Sequence, residues 1–506
     1  MVSPDKELTV VKRIPSLLPW VGIALLAFLM PFTSFPLVAR LTGSSMVAPL
    51  SLLPLAALLL FWLLPFLLRR GAYPPQVKVL IVFVMVAVIS SIAAFVLPIP
   101  PYQGHSILNR TIEGLMTLAV GIGFYLLLSA WISSGDRLRF LLRWVNWGGL
   151  LMLAWSFLQA VIWNRMGGYP DWLWDLQGKL STSLMLFPQR VNGFAYEPSW
   201  FAHQLNMLYL PYWLAATITG FSAHKSIGRL HLESILLLGG LAALFLSVSR
   251  IGWLAFLLML SYLLLYLTWQ FIRWVQRNLL RRFSGSSRWE PVIRRWFVVL
   301  SLLVLLVFYI ALIFGAGYAL SRYDPRMARL FDFSALTENS IFFYANQLVF
   351  AERIVFWQAG WETFNDFPVL GVGLGNAGFF FQDKLSDFSW GLTETRLLAY
   401  QWTSLPNIKS LWVRLLAETG IVGFAVFASW WYVLWKTGRF LLSRSDRLYK
   451  MMGLTGGFVL IGLIIEGFSV DTFALPYYWF TLGLLTAASQ MARISLIDPQ
   501  AGKSSD

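Results

Sequence analysis

The sequence predicts an all-α polytopic integral membrane protein of about twelve transmembrane helices, with a long external loop between the ninth and tenth spans. Three observations carry that expectation. Of 506 residues, 58% are hydrophobic and only 12% charged, too apolar for a single water-soluble core. Apolar runs of about 18 to 25 residues, the length that a hydrocarbon core of roughly 30 Å demands, recur along the chain. Positive charge gathers in every second connection between them.

The runs begin near Pro15, Met46, Val79, Gly114, Val145, Trp200, Leu232, Ile251, Trp296, Ile421, Met452 and Leu475. The first lacks an Ala-x-Ala-type cleavage site and reads as a retained helix. The basic connections are Arg69, Arg70 and Lys78; Arg137, Arg139 and Arg143; Lys225 and Arg229; the cluster from Arg273 to Arg295; and Lys436, Arg439, Arg444, Arg447 and Lys450. With Lys6, Lys12 and Arg13 at one terminus and Arg493 and Lys503 at the other, roughly 25 of the 39 Lys and Arg share one side. That side is expected to be cytoplasmic, with both termini. The net charge of +15 is then an orientation signal with some attraction to membrane lipids, and no nucleic-acid partner is expected. The absence of cysteine removes disulfides and thiolate chemistry. Many of the 25 Trp stand near span ends, as in interfacial belts.

The organisation follows from the run lengths. Residues 1–320 hold the first nine spans and an external loop at 164–197; residues 321–407 form the large external loop; 408–494 carry the last three spans; 495–506 are a cytoplasmic tail. External loops of such length usually carry function. The first ends in Pro188-Gln189-Arg190-Val191-Asn192-Gly193-Phe194-Ala195-Tyr196-Glu197-Pro198-Ser199. In the second, the stretch from about Ser340 to Asn365 has helical periodicity, with Arg353, Trp357, Trp361 and Phe364 along one face of a helix at the outer surface. It stops at Asp366-Phe367-Pro368, and Gly371-Val372-Gly373-Leu374-Gly375-Asn376 reads as a tight turn with close backbone approach. Its external position argues against a nucleotide.

Four basic residues, Arg190, Arg250, Arg353 and Lys409, fall on the side otherwise poor in positive charge. They point to an anionic substrate at the outer leaflet, because a guanidinium presents a planar donor fork suited to phosphate oxygens. Each has a plainer reading: interfacial anchoring for Arg190, pairing with Glu352 for Arg353, and snorkelling for Arg250 and Lys409. Glu197 at the mouth of a span could bond the local backbone, and His203 further in could be a packed core residue. Glu466, inside the eleventh run, is costly in lipid and therefore functional by default. With His105 the one other external histidine, and no clustered carboxylates, no metal is expected.

Glu352-Arg353-Ile354-Val355-Phe356-Trp357-Gln358-Ala359-Gly360, then Phe367 to Asn376, then Ser410-Leu411-Trp412-Val413-Arg414-Leu415-Leu416-Ala417-Glu418-Thr419-Gly420-Ile421-Val422-Gly423 resemble the signature order of the O-antigen ligase and O-antigen polymerase superfamily. Arg190 to Ala202 and Ser249-Arg250 resemble two weaker landmarks, so a ligase-like core runs from about 190 to 435. The resemblance implies a metal-independent, cofactor-free, inverting glycosyltransferase of the bacterial inner membrane, working on its periplasmic or exterior face. The donor would be a glycan on undecaprenyl diphosphate; the acceptor hydroxyl would sit on lipid A core for a ligase or on another lipid-linked repeat for a polymerase.

The resemblance implies catalytic roles for Lys409, Glu197, Arg353 and Arg190, and substrate binding by Arg250, Ser410 and His203. One departure stands out. Where the ligases carry His, then Asn, Ser or Gln, nine residues and Gly-x-x-Gly, this chain has Lys409, Ser410, Gly420 and Gly423. Lysine is a poor base at its ordinary pKa; the simpler role is a cation on the leaving diphosphate, with Glu197 as first candidate base and His203 as second. The lost histidine favours a polymerase of surface or exopolysaccharide repeats over a ligase. A lipid-linked sugar transporter or flippase would show charges along several spans, and metal-dependent oligosaccharyl or mannosyl transferases an acidic first external loop. Here that loop is Arg40-Leu41-Thr42-Gly43-Ser44-Ser45.

Overall fold

The structure, a computed structural model, describes residues 17–43, 47–225, 231–280, 290–322, 350–401 and 404–497. Among these the regular structure is helical, with one isolated bridge between Ser34 and Ala48. The helices are α1 (Leu17–Phe28), α2 (Pro36–Thr42), α3 (Leu52–Leu68), α4 (Gln76–Ala93), α5 (Ile107–Trp131), α6 (Gly135–Met166) and α7 (Asp171–Leu180). Next, α8 comprises Pro198–Gln204, a π turn at Leu205–Tyr209 and Leu210–Thr219, followed by α9 (Leu232–Leu246), α10 (Arg250–Val275) and α11 (Glu290–Ser321). The series closes with α12 (Ala351–Asp366), α13 (Thr393–Tyr400), α14 (Leu411–Leu442), α15 (Arg447–Glu466) and α16 (Tyr477–Ile497).

Each of the twelve apolar runs has a helix. Among the described residues, 8 are long and apolar enough to cross a membrane, α4 to α6, α10, α11 and α14 to α16, while α1, α3 and α9 are shorter apolar helices. This is a multi-pass membrane protein. In α8, Pro211 offers no amide to the carbonyl of Met207, four residues back; the Thr481 hydroxyl of α16 fills it at 2.8 Å. Burial sorts centre from rim: the apolar windows of α15 and α16 are 72% and 67% buried, that of Arg295–Leu312 in α11 0%. Glycines let the central helices touch, as where Gly453 of α15 meets the Gly438 carbonyl of α14.

The described connections gather at two ends of the bundle. At one end Gln76 donates to Thr437 and Ser489, and the Arg143 and Arg447 guanidiniums reach the carbonyls of Ala223 and Gly220. At the other lie the loop before α8, the α9–α10 turn, the loop carrying α12 and α13, and the α15–α16 connection. All the expected site residues stand at that second end.

Two elements differ from expectation. The tenth run, expected from Ile421, begins at Leu411, because the chain is already helical for nine residues before a break at Gly420 (φ 62°, ψ −170°). The surface helix is seen from Ala351; its Ala351, Val355, Phe356 and Ala359 cluster with Phe381, Leu392 and Leu398, its Gly360 lies against Val413 of α14, and Trp361 is exposed. Its expected start near Ser340 lies outside the described residues, as do both termini and positions 281–289 of the basic cluster.

Candidate active site

The break in α14 is where the glycine-rich turn inserts. The Val372 and Gly373 amides donate to the carbonyls of Ala417 and Glu418, each at 2.9 Å, and the Ile421 amide donates to the Pro368 carbonyl at 2.8 Å. The Ser90 hydroxyl of α4 adds a bond to the Glu418 carbonyl at 2.7 Å. A helix broken at membrane depth is tolerated only when its freed backbone groups find such partners. The turn approaches closely because Gly371, Gly373 and Gly375 take φ values of 68°, 81° and 84°, and Gly375 lies against the Arg110 carbonyl at the start of α5. Beside the break, Arg414 Nε donates to Glu418 at 2.8 Å and its Nη1 to the Asp471 carbonyl at 2.6 Å.

Just before α14, Lys409 takes a left-handed backbone conformation (φ 54°). Its amide donates to Asp471 Oδ2 at 3.1 Å, its carbonyl accepts from Trp357 Nε1 at 3.4 Å, and its ammonium lies 4.1 Å from the centre of the Phe356 ring. The same ammonium forms an ion pair with Glu394 of α13. Glu352 of α12 accepts from the Glu394 amide at 3.2 Å, capping α13, whose own preceding residue Leu392 has no side chain to do so. Burial first, then a hydrogen bond between the two carboxyl groups, holds Glu352 above the usual glutamate range. Next along α12, Arg353 donates to the Ser469 carbonyl at 3.4 Å. Ser410, fully buried, caps α14: its hydroxyl accepts from the Val413 amide at 3.4 Å and donates to the Gly467 carbonyl at 3.1 Å.

Arg190 and Arg250 meet at the turn between α9 and α10. Arg190 Nε donates to the Ser247 carbonyl at 3.0 Å, and Arg250 opens α10, capped by Ser249. The loop holding Arg190 is pinned by buried amide side chains: Gln159 accepts from the Asn192 and Gly193 amides, and Gln177 of α7 donates to the Gly193 carbonyl at 3.3 Å. At its end Glu197 accepts from the Ser199 hydroxyl in the first turn of α8.

His203 and Glu466 join the two halves. His203 Nδ1 lies 3.2 Å from Glu466 Oε2, and Asn206 donates to Glu466 Oε1 at 2.7 Å. Glu466 ends α15, and the next five residues supply the Ser469 carbonyl to Arg353 and Asp471 to Lys409. Segment 466–471 therefore links His203 and Asn206 of α8 with Arg353 and Lys409.

Residues 235–428 match the family model for O-antigen ligase (Wzy_C). No curated protein matches the chain. The matched segment takes in Arg250, Arg353, Lys409 and Ser410, and leaves Arg190, Glu197 and His203 on its N-terminal side. It also contains Glu352, Glu394, Arg414 and Glu418, to which the sequence analysis gave no site role. Arg414 and Glu418 could have been found from sequence, since two charges four residues apart in an apolar setting mark a pair. Glu394 carries no such signal, being 15 residues from Lys409 and 42 from Glu352.

Proposed function

We propose that the chain transfers a glycan from undecaprenyl diphosphate to an acceptor hydroxyl at the outer face of the cytoplasmic membrane, as an O-antigen polymerase-type enzyme. The observation that carries this reading is the gathering, at one end of the bundle and largely within the ligase-family segment, of cations beside carboxylates. A diphosphate leaving group carries two or more negative charges, and fixed donors in a partly dehydrated site stabilise developing charge by about 3 kcal/mol each. Arg190, Arg250 and Arg353 take the diphosphate oxygens; the Lys409 side receives the acceptor. Arg190 suits that role because its Nε bond to the Ser247 carbonyl fixes the plane of the guanidinium. The polymerase reading rests on lysine at the position of the ligase histidine; attachment of finished polymer to lipid A core is the alternative.

The test is the chain-length profile of cell-surface glycan in a strain lacking the chain. Loss of polymer with single repeats retained is the expected outcome. Full-length lipid-linked polymer that is never attached indicates a ligase, and an unchanged profile overturns both.

A further inference from the structure

Glycosyl transfer to a hydroxyl releases a proton, which a group at the site must take. Lys409 is a poor choice, because an ammonium ion-paired with a carboxylate has no lone pair to offer. Glu197 already accepts from Ser199 at the start of α8 and lies outside the ligase-family segment. Glu394 lies within that segment, directly against the ammonium, and both side chains keep access to solvent, at 24% and 25% exposure.

We propose that Glu394 is the general base, with Glu352 and Lys409 as positioning residues on either side of it. This deepens the glycosyl-transfer reading and rests on it. The acceptor oxygen bonds to the anomeric carbon as the bond from that carbon to the diphosphate oxygen breaks, the electron pair leaving with the diphosphate. The hydroxyl proton passes to the Glu394 carboxylate and from there to solvent, so no further reactant is needed. Lys409 from the segment before α14 holds the Glu394 carboxylate through their ion pair, and Glu352 from α12 accepts from the Glu394 amide at 3.2 Å, which fixes the start of the helix that carries it. The remaining charged groups nearby point elsewhere: Arg353 to the Ser469 carbonyl, and Asp471 to the Lys409 amide. Arg414 is held by Glu418 and the Asp471 carbonyl.

The experiment uses the full chain in lipid nanodiscs, with lipid-linked oligosaccharide extracted from a strain lacking the chain as donor and acceptor probe, and measures rate against pH. Glu394→Gln is expected to lower transfer about 100-fold or more with the mobility and melting temperature of wild type, a larger loss than that of Glu197→Gln. Glu352→Gln keeps an oxygen to accept from the Glu394 amide and should retain most transfer, whereas Glu352→Ala frees the start of α13 and should lower kcat well below it. Glu394→Gln at the wild-type rate, a comparable loss in Glu197→Gln alone, or equal rates in Glu352→Gln and Glu352→Ala overturns the assignment. Should Glu394→Gln fail to fold, the comparison of Glu352→Gln with Glu352→Ala decides. A wild type that moves no glycan from this donor at any pH overturns glycosyl transfer itself; an active wild type with indifferent variants overturns only the base.

Discussion

Lys409 sits in a backbone region that a long side chain adopts only when its surroundings hold it there. Four contacts do so: Asp471 on its amide, Trp357 on its carbonyl, Phe356 under its ammonium and Glu394 against it. The spacing of Lys409 and Ser410 from the paired glycines made the position legible in sequence, whereas its partner, on a separate helix, was not. The ammonium holds the Glu394 carboxylate in place. Lys409→Arg keeps that charge and should retain measurable transfer. Lys409→Ala should lose most of it, because the carboxylate loses the partner that positions it. Transfer rates of the two variants at equal protein level check this; a Lys409→Ala rate equal to that of Lys409→Arg would mean that Lys409 does not act through Glu394.

The element that organises the site is α14. Sequence placed its membrane run from Ile421 onward, since Arg414 and Glu418 interrupt the apolar pattern and their mutual pairing is invisible until the helix turns them together. Gly420 and Gly423 were readable as a spacing, but not as a broken helix threaded by a loop from some fifty residues earlier in the chain. Once the break is seen, the glycine is necessary on two counts. Its φ of 62° with ψ −170° is a conformation essentially reserved for glycine and costs an alanine about 1 to 3 kcal/mol, and a methyl group there would run into the Val369 carbonyl oxygen. Backbone cannot yield as a flexible side chain can. Gly420→Ala should therefore melt at lower temperature in detergent and lose transfer, with Arg353 and Lys409 displaced from each other. Wild-type melting would show that the turn can withdraw without harm, and the site would not depend on it.

At the scale of the whole molecule, composition and run length carried the class, and every apolar run has its helix. Loop charge carried something subtler, the division of the molecule into two ends. Both ends are tied by arginines on carbonyls, Arg143 and Arg447 at the one and Arg190, Arg353 and Arg414 at the other; the second end also bears the broken helix and the ion pair of Lys409 with Glu394. Since the positive-inside bias sets which end faces the cytoplasm, the candidate active site should face outward, where lipid-linked glycans meet their acceptors. The chain has no cysteine, so single replacements report without background. Ser445 is exposed between α14 and α15 at the basic end, and Gln382 is exposed between α12 and α13 at the other. An impermeant thiol reagent applied to spheroplasts should label Gln382→Cys and leave Ser445→Cys unlabelled until the membrane is opened. The reverse pattern would put the carboxylates and Lys409 in the cytoplasm, and a reaction at the outer face would then be impossible for this site.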